Sequence, residues 1–344
     1  MKRLIFLLLA FFSVVGFAQA SAQMQWPASD DDSAAIMAMI ADARAAGRNM
    51  VVIPKHNQRR GVDEWIIGKT ILIPSKMTVV LDGCYLVMAD EVFCNMFANE
   101  NAWSTNRNCA AAEMSDIAII GRNGAVLDGG NYNCWGEQMT PGIGSHYTAE
   151  YTEGRVTRVK RKRLVHNCPI YFHNVKGFRV EGITVRRQRY WGMCYSFCSE
   201  GVIRNIRFEA DISWVSDDGF VHDPTRRPNV YRNLWLKNGD GIDLRKGCHD
   251  ILIENISGWS EDDTIALTNL HGNSIDSVEG KCHDICNVTI RNIRTYAWRW
   301  MNQVRLLCAD GASVHDVVID GVYDTSDPVK QPWRMASSIQ LNDE

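Results

Sequence analysis

The chain has 344 residues, 46% of them hydrophobic and 22% charged, with a formal net charge of −3. That balance excludes a disordered or fibrous chain and supplies enough apolar material for a long core. A slightly acidic chain is not a general nucleic-acid binder, because such proteins present a basic surface.

Met1 to Ala20 carries Lys2 and Arg3, an apolar run from Leu4 to Ala18, and the small-residue site Ala18-Gln19-Ala20. This is the pattern of a secretory signal peptide over residues 1–20. No second apolar run of spanning length follows, so the mature chain is expected to be soluble, without a membrane span, and secreted or periplasmic. No cysteine stands at the cleavage site, which disfavours a lipid anchor. Eleven cysteines follow at 84, 94, 109, 134, 168, 194, 198, 248, 282, 286 and 308. In an oxidising compartment some are expected to pair, and the odd count leaves at least one unpaired. Cys194/Cys198 and Cys282/Cys286 lack the Cys-x2-Cys spacing of structural zinc sites, so they read as core residues and no metal is assigned to them.

Residues 21–49 form an N-terminal segment. In it Asp30-Asp31-Asp32-Ser33 leads into AAIMAMIADARAAG, with Ile36, Ile40 and Ala43 on one helical face. The acids at its start and Gly47 at its end bracket one short α-helix. Ahead of a strand-rich repeat, that helix is expected to cap the first open turn. From Met50 onward the texture is of short β runs such as MVVIP, TILIP and MTVVLDGCYLVMA, bounded by Gly, Pro, Asn or Asp. Asn131 to Arg163 interrupts them with few β runs and the basic cluster Arg158, Lys160, Arg161, Lys162 and Arg163, read as a solvated loop or an anion contact.

The repeat is then legible as FRVEGITV, GVIRNIRF, NVYRNLWL, ILIENISG, VTIRNIRT and VVIDGVYD. Val180, Ile203, Tyr231, Ile253, Ile290 and Ile319 occupy one phase, at intervals of 23, 28, 22, 37 and 29 residues. Constant strands with variable loops predict an all-β, single-domain solenoid of parallel strands over residues 50–344, with no internal boundary between Met50 and Asp324. Asn205, Asn233, Asn255 and Asn292 recur at one position and predict an asparagine ladder between turns. After MASSIQL the chain shows no capping element.

Within this repeat, Tyr231 to Leu270 writes one pattern twice, 22 residues apart, and sets Asp240 and Asp262 at the same phase with Asp263 alongside. Strands in such a sheet are about 4.8 Å apart, so the spacing stacks these acids on neighbouring turns. Asp218, preceded by Asp217, falls 22 residues earlier in the same column. Clustered carboxylates raise one another's pKa and suit acid/base work on a glycosidic bond, although Asp also favours ordinary turns.

Asn238-Gly239-Asp240 and Glu261-Asp262-Asp263 resemble the Asn-Thr-Asp and Gly/Gln-Asp-Asp motifs of the polygalacturonase-type glycoside hydrolases, family 28. The specific likeness covers only residues 238–268; the β-helix texture covers roughly residues 30–324. The resemblance implies a right-handed parallel β-helix, an inverting hydrolase of a pectin-like glycan, Asp262 as general acid, and Asp240 with Asp263 activating water. The sequence departs from the family at its Gly-His-Gly and Arg-Ile-Lys motifs. At the acids' phase the next coil offers Ala297-Trp298-Arg299-Trp300, Arg305-Leu306-Leu307 only echoes the basic motif, and His271-Gly272 comes early.

Trp298, Arg299 and Trp300 would form a subsite for an acidic sugar if they share a strand face, or pack in the core. Arg245 and Lys246 contact a uronate or lie in a solvated turn. Asn238, Arg245, Lys246, His271, Trp298, Arg299, Trp300 and Arg305 are therefore the candidate substrate-binding residues. The expected partner is an acidic polysaccharide bound by a monomer, without a cofactor. Two other readings stand beside hydrolysis. One is a β-helical lyase, whose Asp column holds Ca2+ while Arg245 or Lys246 takes a proton from a uronate. The other is a non-catalytic carbohydrate-binding β-helix.

Overall fold

The computed structural model describes residues 31–89, 94–102, 112–130, 147–152, 155–161, 168–188, 191–210, 214–215, 221–222, 239–260, 262–269, 278–297, 302–308, 311–326 and 337–343. The signal-peptide segment, Asp217, Asp218, Tyr231 and Asn233 lie outside them.

Two parallel sheets wind around one core and make the chain a parallel β-helix. A 12-stranded sheet carries the long strands Met114–Arg122, Val175–Glu181, Ser199–Glu209, His249–Ser260, Ile285–Ala297 and Val314–Asp324. An eight-stranded sheet stacks Ile71–Ile73, Phe97–Asn99, Ile170–His173, Met193–Ser196, Ile242–Leu244, Ile265–Thr268, Asn302–Cys308 and Ser337–Asp343. Alternation along each long strand aims one residue in two at the core. Val180, Ile203, Ile253 and Ile290 are in register and fully buried. Truncating such a side chain to Ala costs about 2–5 kcal/mol, because stacked coils cannot close the void.

The long strands bend at two corners where the backbone takes positive φ. Asp116, Gly177, Glu200, Asp250, Asn287 and Asp316 form one column, at φ 52–70°. Asn205, Asn255 and Asn292 form part of the second, at φ 53–56°. Asn and Asp tolerate this region better than other side chains, which is why the repeat keeps them there. The asparagines are laddered: Asn255 Nδ2 donates to Asn205 Oδ1 (3.0 Å) and Asn292 Nδ2 to Asn255 Oδ1 (2.7 Å).

Asn205 and Asn255 touch directly because Ser199–Glu209 pairs with His249–Ser260, Ile203 opposite Ile253. No strand lies between these two in the sheet, where the sequence phase placed NVYRNLWL; that stretch lies outside the described residues. On the other sheet Met193–Ser196 likewise pairs straight to Ile242–Leu244. No strand lies between these two either, and Asp218 lies outside the described residues.

Ser33–Ala45 is the expected helix, and Ile36, Ile40 and Ala43 join the core next to Val51 and Ile53. Its start differs from expectation. Asp31 Oδ1 accepts the Ser33 N–H (2.9 Å), while Asp32 is buried and binds Arg59 (2.6 Å), Arg60 (3.0 Å) and the Ile66 N–H (2.8 Å). Asp32 thus ties the helix to the first coil instead of capping it. The basic cluster also differs: Arg158, Lys160 and Arg161 fall in strand Arg155–Arg161, antiparallel to Tyr147–Thr152, rather than in a loop.

Cys84, Cys168, Cys194, Cys198, Cys248, Cys282, Cys286 and Cys308 are free thiols. Cys198 and Cys248 donate to the Phe172 and Tyr195 carbonyls and are spent on core packing, so the expected pairing is not found among them. Among the described residues no helix is long and apolar enough to cross a membrane.

Candidate functional site

The acids sit at the corner where the chain enters the eight-stranded sheet. Asp240 precedes Ile242–Leu244 and Asp262-Asp263 precedes Ile265–Thr268, and Ile242 pairs with Ile265. That register sets Asp263, not Asp262, against Asp240. The Gly241 N–H donates to the Asp263 carbonyl (2.9 Å), and the Asp263 N–H donates to Asp240 Oδ1 (3.1 Å) and to Asp262 Oδ1 (2.9 Å). The sequence period was therefore one residue short at this step. The three acids still converge, with one oxygen from each lying within 4.8 Å of the others.

Their surroundings differ. Asp263 is 1% exposed, and its Oδ1 accepts both the Asn302 N–H (2.9 Å) and Asn302 Nδ2–H (2.7 Å). Arg305 Nη1 lies 3.5 Å from its Oδ2. Burial raises the Asp263 pKa, and these donors oppose that by favouring the charged form. Asp262 is partly buried and has one N–H, its neighbour's. Burial first, then the Asp263 charge, push it up to about 6. Two adjacent carboxyls with different partners are the arrangement that separates an acid from a base.

Asp243 is the residue that sequence reasoning missed. It is fully buried, in register with Cys194 and Ala266. Its carboxyl is within hydrogen-bonding reach of Asp240, and its Oδ2 has no N–H donor. A proton on Asp240 would supply the hydrogen bond between the two carboxyls. Burial, followed by the charges of Asp243, Asp262 and Asp263, raises Asp240 well above the carboxylate range. Burial lifts Asp243 to about 8 despite Arg245. In the sequence, Asp243 within GIDL looks like one more turn residue, and only its position three residues after Asp240 could have drawn notice.

Arg245 lies beneath the acids rather than in a solvated turn. It is 2% exposed, bonds Thr268 Oγ1, stands 3.4 Å from Asp243 Oδ1, and places its guanidinium 4.7 Å from the Trp191 ring centre. Trp191 is in turn next to Asp240, since the Gly192 N–H donates to the Asp240 carbonyl (2.9 Å). Lys246 is partly exposed, and burial with the Arg245 charge lowers its pKa. Arg305 is one-third exposed, faces Asp263, and keeps a buried Nε–H without an acceptor. Asn238, His271, Trp298, Arg299 and Trp300 lie outside the described residues. The residue that the next coil sets against Asp263 is Asn302, because the Thr264 N–H donates to the Asn302 carbonyl (3.0 Å). That is five positions beyond the start of the Ala297–Trp300 stretch which the sequence phase picked out.

The three carboxylates are close enough to share one cation. The donor set around them is poor for it. Hard cations take six to eight oxygens, whereas here Asp263 is engaged by two N–H groups and an arginine. Calcium would have to displace Arg305.

No protein-family model matches the chain, and no curated protein matches it. Among solved structures it is similar to the polygalacturonase from Erwinia carotovora, at 11% identity over 92% of this chain and 77% of that one, TM-score 0.45. It is also similar to the tailspike protein of E. coli bacteriophage HK620 in complex with a pentasaccharide, at 12% identity over 85% and 46%, TM-score 0.48. A third is PfbA, a surface adhesin of Streptococcus pneumoniae, at 10% identity over 91% and 77%, TM-score 0.45. At these values none of the three carries an argument about what this chain does.

Proposed function

We propose that the chain is a secreted polysaccharide hydrolase, exported by residues 1–20, in which Asp262 protonates the glycosidic oxygen and Asp263 takes the proton of the attacking water. The observation that supports this is the contrast between the two adjacent carboxyls. Asp262, raised to about 6, keeps a proton to donate. Asp263, braced by three N–H contacts, remains the anion that accepts one. Asp240 faces the same space, and its pair with Asp243 contributes one negative charge. Arg305, one-third exposed, and Lys246, partly exposed, favour a substrate bearing carboxylates, so pectic glycans head the candidates.

Stereochemistry is a separate matter. Oxygens within 4.8 Å of one another are nearer the spacing of retaining pairs (about 5–5.5 Å) than of inverting ones (about 6.5–9.5 Å). The inversion implied by the motif resemblance thus disagrees with the general spacing rule. The acid and base assignments rest on hydrogen bonding and stand apart from it; the first-formed anomer, read by proton NMR, decides between the two.

The deciding assay is reducing-sugar release from homogalacturonan, rhamnogalacturonan and related glycans, with chelator present, for wild type and Asp262→Asn. Release by wild type alone is expected. Ultraviolet absorbance that needs Ca2+ would instead establish the lyase. The buried position of Arg245 disfavours it as the lyase base, because a proton-abstracting residue has to reach the sugar, and leaves that role to the partly exposed Lys246. Glycan binding that is equal in both proteins, with no cleavage by either, would make the chain a binding module.

A further inference from the structure

We infer that Asn302 and Gln340 form an amide relay that positions the Asp263 carboxylate, so that the site extends over two coils beyond the acids. This rests on the hydrolase reading given above. Asn302 opens strand Asn302–Cys308 and is 2% exposed. Its backbone N–H and Nδ2–H both go to Asp263 Oδ1, at 2.9 and 2.7 Å. The second Nδ2 hydrogen goes to Gln340 Oε1 at 2.6 Å, on strand Ser337–Asp343 of the following coil.

An amide nitrogen with an acceptor on each side has one orientation. Flipping Asn302 would set its oxygen against both a carboxylate and a carbonyl oxygen. Gln340 therefore fixes the Asn302 amide, and Asn302 fixes the Asp263 carboxyl. With Oδ1 taken by two donors, proton uptake falls to Oδ2, the oxygen that Arg305 approaches at 3.5 Å. The relay selects which oxygen works as the base and holds it in place, as a proton transfer in a confined site requires. Neither residue touches the reacting atoms, so both are positioning residues.

The experiment compares wild type with Asn302→Leu and Gln340→Leu. Two readouts are used: the carbon-13 titration of the Asp263 carboxyl, assigned with Asp263→Asn, and kcat and KM across pH. In Asn302→Leu the carboxyl should titrate about one pH unit higher, because a charge-assisted donor to its ionised form is lost. The acid limb of kcat/KM should move up equally, with kcat down about 10–100-fold and KM within about twofold. Gln340→Leu keeps both Asp263 contacts but frees the amide, and should give a smaller shift in the same direction. If Asn302→Leu does not fold, Gln340→Leu carries the test. An unmoved carboxyl titration in the folded variants overturns the inference. A wild type that cleaves no glycan removes the hydrolase reading, and the titration still decides whether the relay holds Asp263.

Discussion

Replacing Arg305 by Gln should move both limbs of the pH profile upward. Arg305 holds down both acids, Asp262 and Asp263. Its Nη1 lies 3.5 Å from Asp263 Oδ2. At that distance and an effective dielectric near 20, the pair is worth about 5 kcal/mol. The arginine side chain is 31% exposed, and water would reduce this to about 1.5–3 kcal/mol, or about 1–2 pH units on Asp263. The effect on Asp262 is smaller, because the Arg305 charge is not in direct contact with it. The acid limb reports Asp263, which has to be ionised; the basic limb reports Asp262, which has to be protonated and lies at about 6. The variant's bell should therefore rise in pH and narrow, since its acid side moves further. The assay is kcat/KM from initial reducing-sugar rates across pH on whichever glycan the wild type cleaves. A bell that stays in place, or an acid limb that moves down, would refute the placement of Arg305 against the base.

Three further outcomes are expected. Asp262→Asn should lower kcat by about 10²–10⁴-fold and erase the basic limb without lowering the melting temperature, since it removes repulsion rather than a contact. Asn255→Leu should cost about 2–3 kcal/mol in a thermal or denaturant melt, by forcing a bulkier side chain to φ 56° and losing two ladder bonds, whereas Asn255→Gly should cost about 1 kcal/mol because its backbone fits; equal losses would sink the corner explanation. Stability should fall as pH rises from about 5 to 9, because Asp262 and Asp243 have folded values raised to about 6 and about 8, so the unfolded chain binds fewer protons there; Asp243→Asn should flatten the upper part, and melting temperatures that climb over that range would contradict it.

The core and corners of this fold were open to reading from single residues. Ile203, Ile253 and Ile290 recur in one phase and stack, and the asparagines two residues further on are laddered as their recurrence implied. NVYRNLWL carries the same local chemistry, including its Asn233, yet Ser199–Glu209 pairs directly with His249–Ser260 and leaves no place between them for the strand that the phase predicts. Local pattern reports which residues can form a strand, while pairing is decided by which strands meet, and a solenoid coil gives no local sign that it has been skipped. The same limit hid Asn302. The 37-residue interval from Ile253 to Ile290 contains a loop of unknown length, so the phase of the acids could not be carried across it. Asp243 was hidden for another reason: burial, which gives it its chemistry, depends on Arg245 and Trp191 closing beneath the acids.

The proposed acid and base roles agree with the charges at this corner. Four carboxyls, Asp240, Asp243, Asp262 and Asp263, meet two arginines, Arg245 and Arg305. A buried cluster of four negative charges against two positive ones is costly, so neutrality near pH 6 requires two protons. Each proton goes where N–H donors are fewest. Burial raises Asp263 too, but Asn302 and Arg305 favour its anion. One proton belongs to the Asp240–Asp243 pair, whose carboxyls lie within hydrogen-bonding reach of each other, and Arg245 balances the charge that remains. The second goes to Asp262, which is partly buried, accepts one N–H and is raised to about 6. A carboxyl that holds its proton, beside one whose anion is favoured by Asn302 and Arg305, would supply a donor and an acceptor from two consecutive residues of one chain.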